Sequence, residues 1–226
     1  MTVYWLEQTE ADVPTEDDWL STSELVRLSS FRFPKRRADW RLGRWTAKLA
    51  VARWLSPHGS PPALSAIEIR PATSGAPEVF IADRPADGTI SISHRGGVAA
   101  CALGQAASEL GCDLELVEPR SEGFVADYFT EGEQALINQA GADCSQISAL
   151  LWSAKESALK ALRVGLREDT RSVAVSISGT PVGGWRRLKV ECPQGVRFCG
   201  WWQLSGGLIR TVVSGPSAPP PVRLLR

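Results

Sequence analysis

The apolar positions of the chain fall into two successions of helix followed by strands. Between residues 22 and 55, Leu25, Leu28 and Phe31, then Trp40, Leu42, Trp45, Leu49, Ala52 and Leu55, recur at spacings near three and four, the period of an amphipathic helix. Pro34 interrupts this run; with no backbone N–H to donate, it divides the stretch into two helices. Ser56 to Pro62, rich in Pro and Gly, is punctuation. Beyond it, alternation predicts strands at Ala66 to Arg70, Val79 to Ala82 and Thr89 to Ser93. Gly96-Gly97 then turns the chain into a strand at Val98 to Leu103, a hairpin with His94 at its bend.

The second succession starts with a strand at Cys112 to Val117. Helical stretches follow around Phe124 to Phe129 and Glu131 to Ala140, and a long helix from Ser145 to Val164 is the clearest element. Past Gly165, strands are predicted at Ser172 to Ile177, Trp185 to Glu191, Val196 to Gln203 and Leu208 to Val213. The expected architecture is therefore α+β, with lobes at 1–105 and 106–213 and a proline-rich tail at 214–226, extended or disordered. The 226 residues suit two small lobes or one large one, and no sequence repeat relates the two halves.

Composition narrows the class. Hydrophobic residues make up 43% and charged residues 22%, which excludes disorder throughout. The longest stretch free of strongly polar side chains, Gly96 to Gly104, is far short of the roughly 20 residues a membrane helix needs. The first ten residues carry no basic segment ahead of an apolar run, so a cytoplasmic location with no membrane partner is expected. Five cysteines form no C-x-x-C pair, and the histidines are only His58 and His94. Neither a disulfide framework nor a zinc or multi-histidine centre is expected, and carboxylates are left as ligands for Mg²⁺ or Mn²⁺.

The net charge of zero gives no general attraction to nucleic acid, but the charges are unevenly placed. From Arg27 to Arg53 nine bases accompany one acid, Asp39; from Glu109 to Asp143 nine acids accompany one base, Arg120. This distribution suits an anionic ligand held partly by cations and partly through a metal, and it also suits two solvated helix faces.

Asp113 and Glu115 are two apart on a predicted strand and so share one face. Trp152, Glu156 and Lys160 are spaced by four on the long helix and line one stripe, with Lys155 beside them. Three carboxylates of this kind fit Mg²⁺, with lysines left to hold phosphate, although an exposed strand face and an ordinary helix surface would show the same spacings. A Ser93-His94-Asp113 triad is disfavoured, because adjacent strand residues face opposite ways and no G-x-S-x-G elbow is present.

In order and separation, Ile90-Ser-Ile-Ser-His94, Gly111-Cys-Asp-Leu-Glu115 and Leu151-Trp-Ser-Ala-Lys-Glu-Ser-Ala-Leu-Lys160 resemble the three signature motifs of 4′-phosphopantetheinyl transferases. The chain is most similar to the larger monomeric type that activates peptide and polyketide synthetases, typified by the surfactin synthetase activator. Tyr128-Phe129-Thr-Glu-Gly-Glu133 looks like the family's F-F-x-x-x-E segment, and Gly165-Leu166 follows the lysine helix as it does there.

The resemblance implies two similar α+β lobes related by a pseudo-twofold axis, with the active site between them, in a monomer. It implies transfer of phosphopantetheine from coenzyme A to a serine of an acyl or peptidyl carrier protein, releasing adenosine 3′,5′-bisphosphate. By motif, Asp113, Glu115 and Glu156 are then the metal ligands. His94 and Lys160 touch the phosphates, with Ser93 and Lys155 beside them, and Arg44, Arg36 and Arg32 face the adenosine 3′-phosphate. Glu156, or a metal-bound water, takes the serine proton. Two departures stand out: Arg95 follows the histidine where the family has Ser, and Ala76 replaces the basic residue of a G-K-P-like segment. The competing classes are a Mg²⁺-dependent diphosphate hydrolase and a catalytically silent module that binds coenzyme A or a carrier protein.

Overall fold

A computed structural model describes residues 2–56, 60–215 and 218–224. Its order is β1 (Tyr4–Thr9), α1 (Thr22–Ser29), α2 (Pro34–Leu55), β2 (Ile67–Pro71), β3 (Pro77–Ile81), β4 (Arg84–Pro85), β5 (Thr89–Arg95), β6 (Val98–Gly104) and β7 (Leu110–Leu116). There follow α3 (Glu122–Tyr128), α4 (Glu131–Gln139), α5 (Cys144–Ala161), β8 (Ala174–Val182), β9 (Trp185–Glu191), β10 (Arg197–Ser205), β11 (Leu208–Ser214) and β12 (Val222–Arg223). The chain is thus α+β. It divides into an N-terminal unit, Thr2–Ser108 with Pro221–Arg226, and a C-terminal unit, Glu109–Pro220. His58 and part of the loop read at 56 to 62 lie outside the described residues, as do four residues of the tail. Among the described residues no helix is long and apolar enough to cross a membrane.

In the N-terminal unit, Pro34 opens α2 at a first-turn position, where its missing N–H would have had no intrahelical partner anyway. One face of α2, including Ala47, Ala50 and Val51, packs into a core with Leu6, Ile90, Cys101 and Leu103. The underlying sheet has the order β12-β1-β6-β5, and β2-β3-β4 form a separate small sheet. β1 runs antiparallel to β6 with Leu6 opposite Cys101.

Two expectations are corrected here. His94 is not at the hairpin bend but inside β5, opposite Ala99; the bend is Gly96-Gly97, where φ is +59° and +75°, a conformation that glycine adopts without a Cβ penalty. The stretch read as an extended or disordered tail is extended at Val222–Arg223 and is paired there, with Val222 and Leu224 donating their N–H to the Val3 and Trp5 carbonyls at 2.8 Å each.

In the C-terminal unit five antiparallel strands lie in the order β7-β11-β10-β9-β8. α5 crosses β7 and β11 with Ala154, Ala158 and Leu159 in the core. The approach is close enough that a Cβ on Gly111 would sit 1.8 Å from the Ser157 carbonyl oxygen. Across the same contact Ser153 and Ser157 hydrogen-bond the Thr211 hydroxyl at 2.8 and 2.7 Å, so no hydroxyl of the seam is buried unpaired.

Candidate functional site

Alternation along β7 puts Asp113 and Glu115 on one face, and both are almost fully buried. The close packing of α5 over Gly111 brings Glu156 and Lys160 to them. Lys160 Nζ donates to Asp113 Oδ1 at 2.7 Å and to the Cys112 carbonyl at 3.1 Å. Glu115 is paired with Arg120, which follows β7. Burial raises the Glu156 carboxyl above the usual carboxylate range and the negative charge of Asp113 adds to this; Lys160 partly opposes it and Glu115 adds a smaller push. For Lys160, burial is the largest influence and pulls downward, but Asp113, Cys112 and Glu156 outweigh it and hold the ammonium above its ordinary value.

Asp113, Glu115, Glu156 and Lys160, expected together, are therefore together. The donor set, three carboxylates with two of them buried, has the hard-oxygen chemistry that Mg²⁺ requires, and the lesser part of the upward push on Glu156, that from Asp113 and Glu115, is repulsion that a cation would relieve. As they stand, the carboxylates face Lys160 and Arg120. Among the described residues no group of three or more His, Cys, Asp or Glu side chains is arranged to hold a metal ion.

Lys155 is elsewhere. One residue from Glu156 is about 100° around a helix, and this turns Lys155 into the core, where it has no exposed surface. Its Nζ pairs with Glu133 at 2.8 Å and donates to the carbonyls of Thr170, at 2.7 Å, and Val173. Its expected part in holding phosphate is replaced by a structural one. Its partner is set locally: Thr130-Glu-Gly-Glu133 is a capping box, a reason for a glutamate at that position.

Beside the acidic group lies an aromatic shelf. Phe124, Tyr128 and Trp152 have ring centroids 4.7 to 5.2 Å apart, and the Arg120 guanidinium lies 4.6 Å from the Phe124 centroid and 6.0 Å from that of Trp152.

The N-terminal unit has a basic cleft of about 460 Å³, lined by Arg27, Lys35, Arg36 and His94 with Phe31, Phe33 and Trp40; its one acid, Asp39, is paired with Lys35 at 2.9 Å. Of the residues expected to bind the nucleotide, Arg36 and His94 line this cleft. Arg32 is exposed in the connection between α1 and α2, outside the cleft lining. Ser93 is buried on the face of β5 opposite His94. Arg44 stacks on Trp40 at 5.0 Å and lies 3.7 Å from Glu24; burial lowers its pKa, Glu24 opposes this and Arg27 adds to it. Arg27 and Lys35 are cleft cations that motif reasoning did not name; both stand in the basic run from Arg27 to Arg53, which was the signal for them.

Residues 109–192 match the family model of the 4′-phosphopantetheinyl transferase superfamily. The matched segment contains Asp113, Glu115, Glu156 and Lys160, so the part of the chain that holds the acidic group is similar to that superfamily. No curated protein matches the chain by sequence.

Proposed function

We propose that this protein is a 4′-phosphopantetheinyl transferase of the larger monomeric type, acting in the cytoplasm on acyl or peptidyl carrier proteins. The observation that carries the reading is the convergence of Asp113, Glu115, Glu156 and Lys160 at one face of β7, within the segment that matches the superfamily. The free state of all five cysteines agrees with a reducing compartment.

In this reading the carrier serine attacks the phosphorus on the pantetheine side of the diphosphate, and the bond to the adenosine-side phosphate breaks to release adenosine 3′,5′-bisphosphate. Glu156, on the face of α5 that meets Asp113, takes the serine proton. Lys160 is locked by Asp113 and the Cys112 carbonyl, which presents a fixed positive charge to the adenosine-side phosphate as it leaves. Mg²⁺ held by Asp113, Glu115 and Glu156 would supply charge neutralisation of the diphosphate. The basic cleft of the N-terminal unit, with Arg27, Arg36 and His94, has by itself the donors that suit a phosphate group.

The test is to incubate the protein with coenzyme A, Mg²⁺ and an apo carrier protein and to weigh the carrier. A gain of one phosphopantetheine that disappears in excess chelator is expected; an unmodified carrier would refute the reading. Lys160→Ala should lower turnover about a hundredfold, or roughly 2.7 kcal/mol, with coenzyme A affinity changed less. Its folded state is checked by circular dichroism, because Asp113 loses its partner.

A further inference from the structure

The cations of the basic cleft in the N-terminal unit are held in two different ways. Lys35 is neutralised by Asp39. Arg27 and Arg36 have no acid on them among the described residues; instead each places its guanidinium over the ring of Phe31, at 5.3 and 5.4 Å from the centroid. The two arginines come from different elements, Arg27 from the last turn of α1 and Arg36 from the first turn of α2. Phe31 stands in the connection between them, its N–H donated to the Leu28 carbonyl at 3.2 Å. The ring is fixed in turn. It meets the Trp40 ring at 5.7 Å and packs on the cluster of Trp19, Leu20 and Leu28, while Trp40 is backed by Arg44 at 5.0 Å, which lies 3.7 Å from Glu24.

Two like charges gathered on one ring repel each other, and each arm would gain by swinging out into water. An aromatic face attracts a guanidinium through its quadrupole, so the Phe31 ring offsets that repulsion and limits the rotamers of both side chains. A doubly charged phosphate monoester then meets two planar donors that have already converged, with less side-chain freedom left to lose on binding. We propose that Phe31 is a positioning residue of this cleft: it holds Arg27 and Arg36 as an unpaired fork for a phosphate monoester, and Trp40, backed by Arg44, holds Phe31. This rests on the reading of the cleft as a phosphate site. It also gives Arg44, which is absent from the cleft lining, a part in shaping the cleft through Trp40.

The experiment is calorimetric titration of phenyl phosphate alone into the full chain, without metal or coenzyme A, for the unmodified protein, Phe31→Leu and Phe31→Tyr. Phe31→Leu keeps an apolar side chain but removes the ring face, and should bind about tenfold more weakly, equivalent to about 1.4 kcal/mol. Phe31→Tyr restores the face and should bind within about twofold of the unmodified protein. Urea denaturation separates this from packing, since a purely structural Phe31 would lower stability and leave the affinity of the folded protein unchanged. Unchanged affinity in Phe31→Leu, or a Phe31→Tyr as weak as Phe31→Leu, overturns the proposal. Should Phe31→Leu fail to fold, Phe31→Met keeps an adaptable apolar side chain without a ring, and the same loss is expected; unchanged affinity there overturns it equally. An unmodified protein that binds no phenyl phosphate, or binds it as tightly after Arg27→Gln with Arg36→Gln, would instead refute the phosphate-site reading on which the inference stands.

Discussion

The N-terminal and C-terminal units each hold one lysine with no exposed surface, Lys48 on α2 and Lys155 on α5, and the two are anchored alike. Each pairs with a glutamate at the third position of a capped helix, Glu24 of α1 and Glu133 of α4. One oxygen of each glutamate accepts the N–H of the helix cap, Ser21 at 3.0 Å and Thr130 at 2.9 Å. The other accepts a strand N–H, Ile69 at 3.2 Å and Val175 at 3.0 Å. Each ammonium lies over an aromatic ring, Trp19 at 5.6 Å and Phe129 at 5.7 Å, and burial pulls both lysines below their ordinary pKa against the opposing pull of the glutamate.

The strands follow suit: β1-β6-β5 in one unit has the order of β7-β11-β10 in the other. The chemistry does not. At the registers of Asp113 and Glu115, opposite Thr211 and Ile209, β1 carries Leu6 and Gln8, opposite Cys101 and Ala99. One residue beyond the clamp lysine, Glu156 has Leu49 as its counterpart. A frame can therefore be used twice while the acidic site is built once, and the clamp belongs to the frame.

The sharpest way to break this comparison is to remove each lysine in turn. Lys155→Met and Lys48→Met should each cost about 3 to 5 kcal/mol, because each strands a buried carboxylate, as read by urea denaturation. A loss confined to one of them would show that the clamps are not equivalent. The close helix–sheet contact comes next. Gly111→Ala should cost about 3 kcal/mol, since its Cβ meets the Ser157 backbone at 1.8 Å. Gly43→Ala, whose Cβ meets only Ile92 Cγ2 at 3.7 Å, should stabilise α2 by roughly 0.5 to 1 kcal/mol; a destabilised Gly43→Ala would mean that both units need a glycine at the contact.

A further effect separates the units by pH. Burial, helped by Glu109 and opposed by Lys155, pushes the Cys192 thiol up to about 11 from 9.0. The folded state therefore keeps a proton that the unfolded chain gives up, and stability contributed by this group is lost as pH rises from about 9 to about 11. A fall of about 1 to 2 kcal/mol over that window, absent in Cys192→Ala, is expected from denaturation at stepped pH.

The sequence made the helices of both units legible, because Pro34 and the three-and-four spacing act locally, and it placed the strands beyond them to within a few residues. The acidic group was legible because strand and helix periods fix which side chains share a face. The inward turn of Lys155 was not, since a lysine beside a charged stripe reads as solvated until its buried partner, 22 positions away, is known. β1 escaped notice because Tyr4–Thr9 is buried at Trp5, Leu6 and Gln8 without strict alternation. β12 was hidden too: two residues among prolines carry no period, and only their pairing with Tyr4 and Trp5 makes them a strand.

That pairing bears on how the chain is made. Val222 lies alongside Tyr4, so one backbone edge of β1 stays uncovered until synthesis has passed residue 222, more than 200 positions later. Until then the N-terminal unit presents an open hydrogen-bonding edge of the kind that other strands add to. The short closing strand acts late, as a seal on the nascent protein.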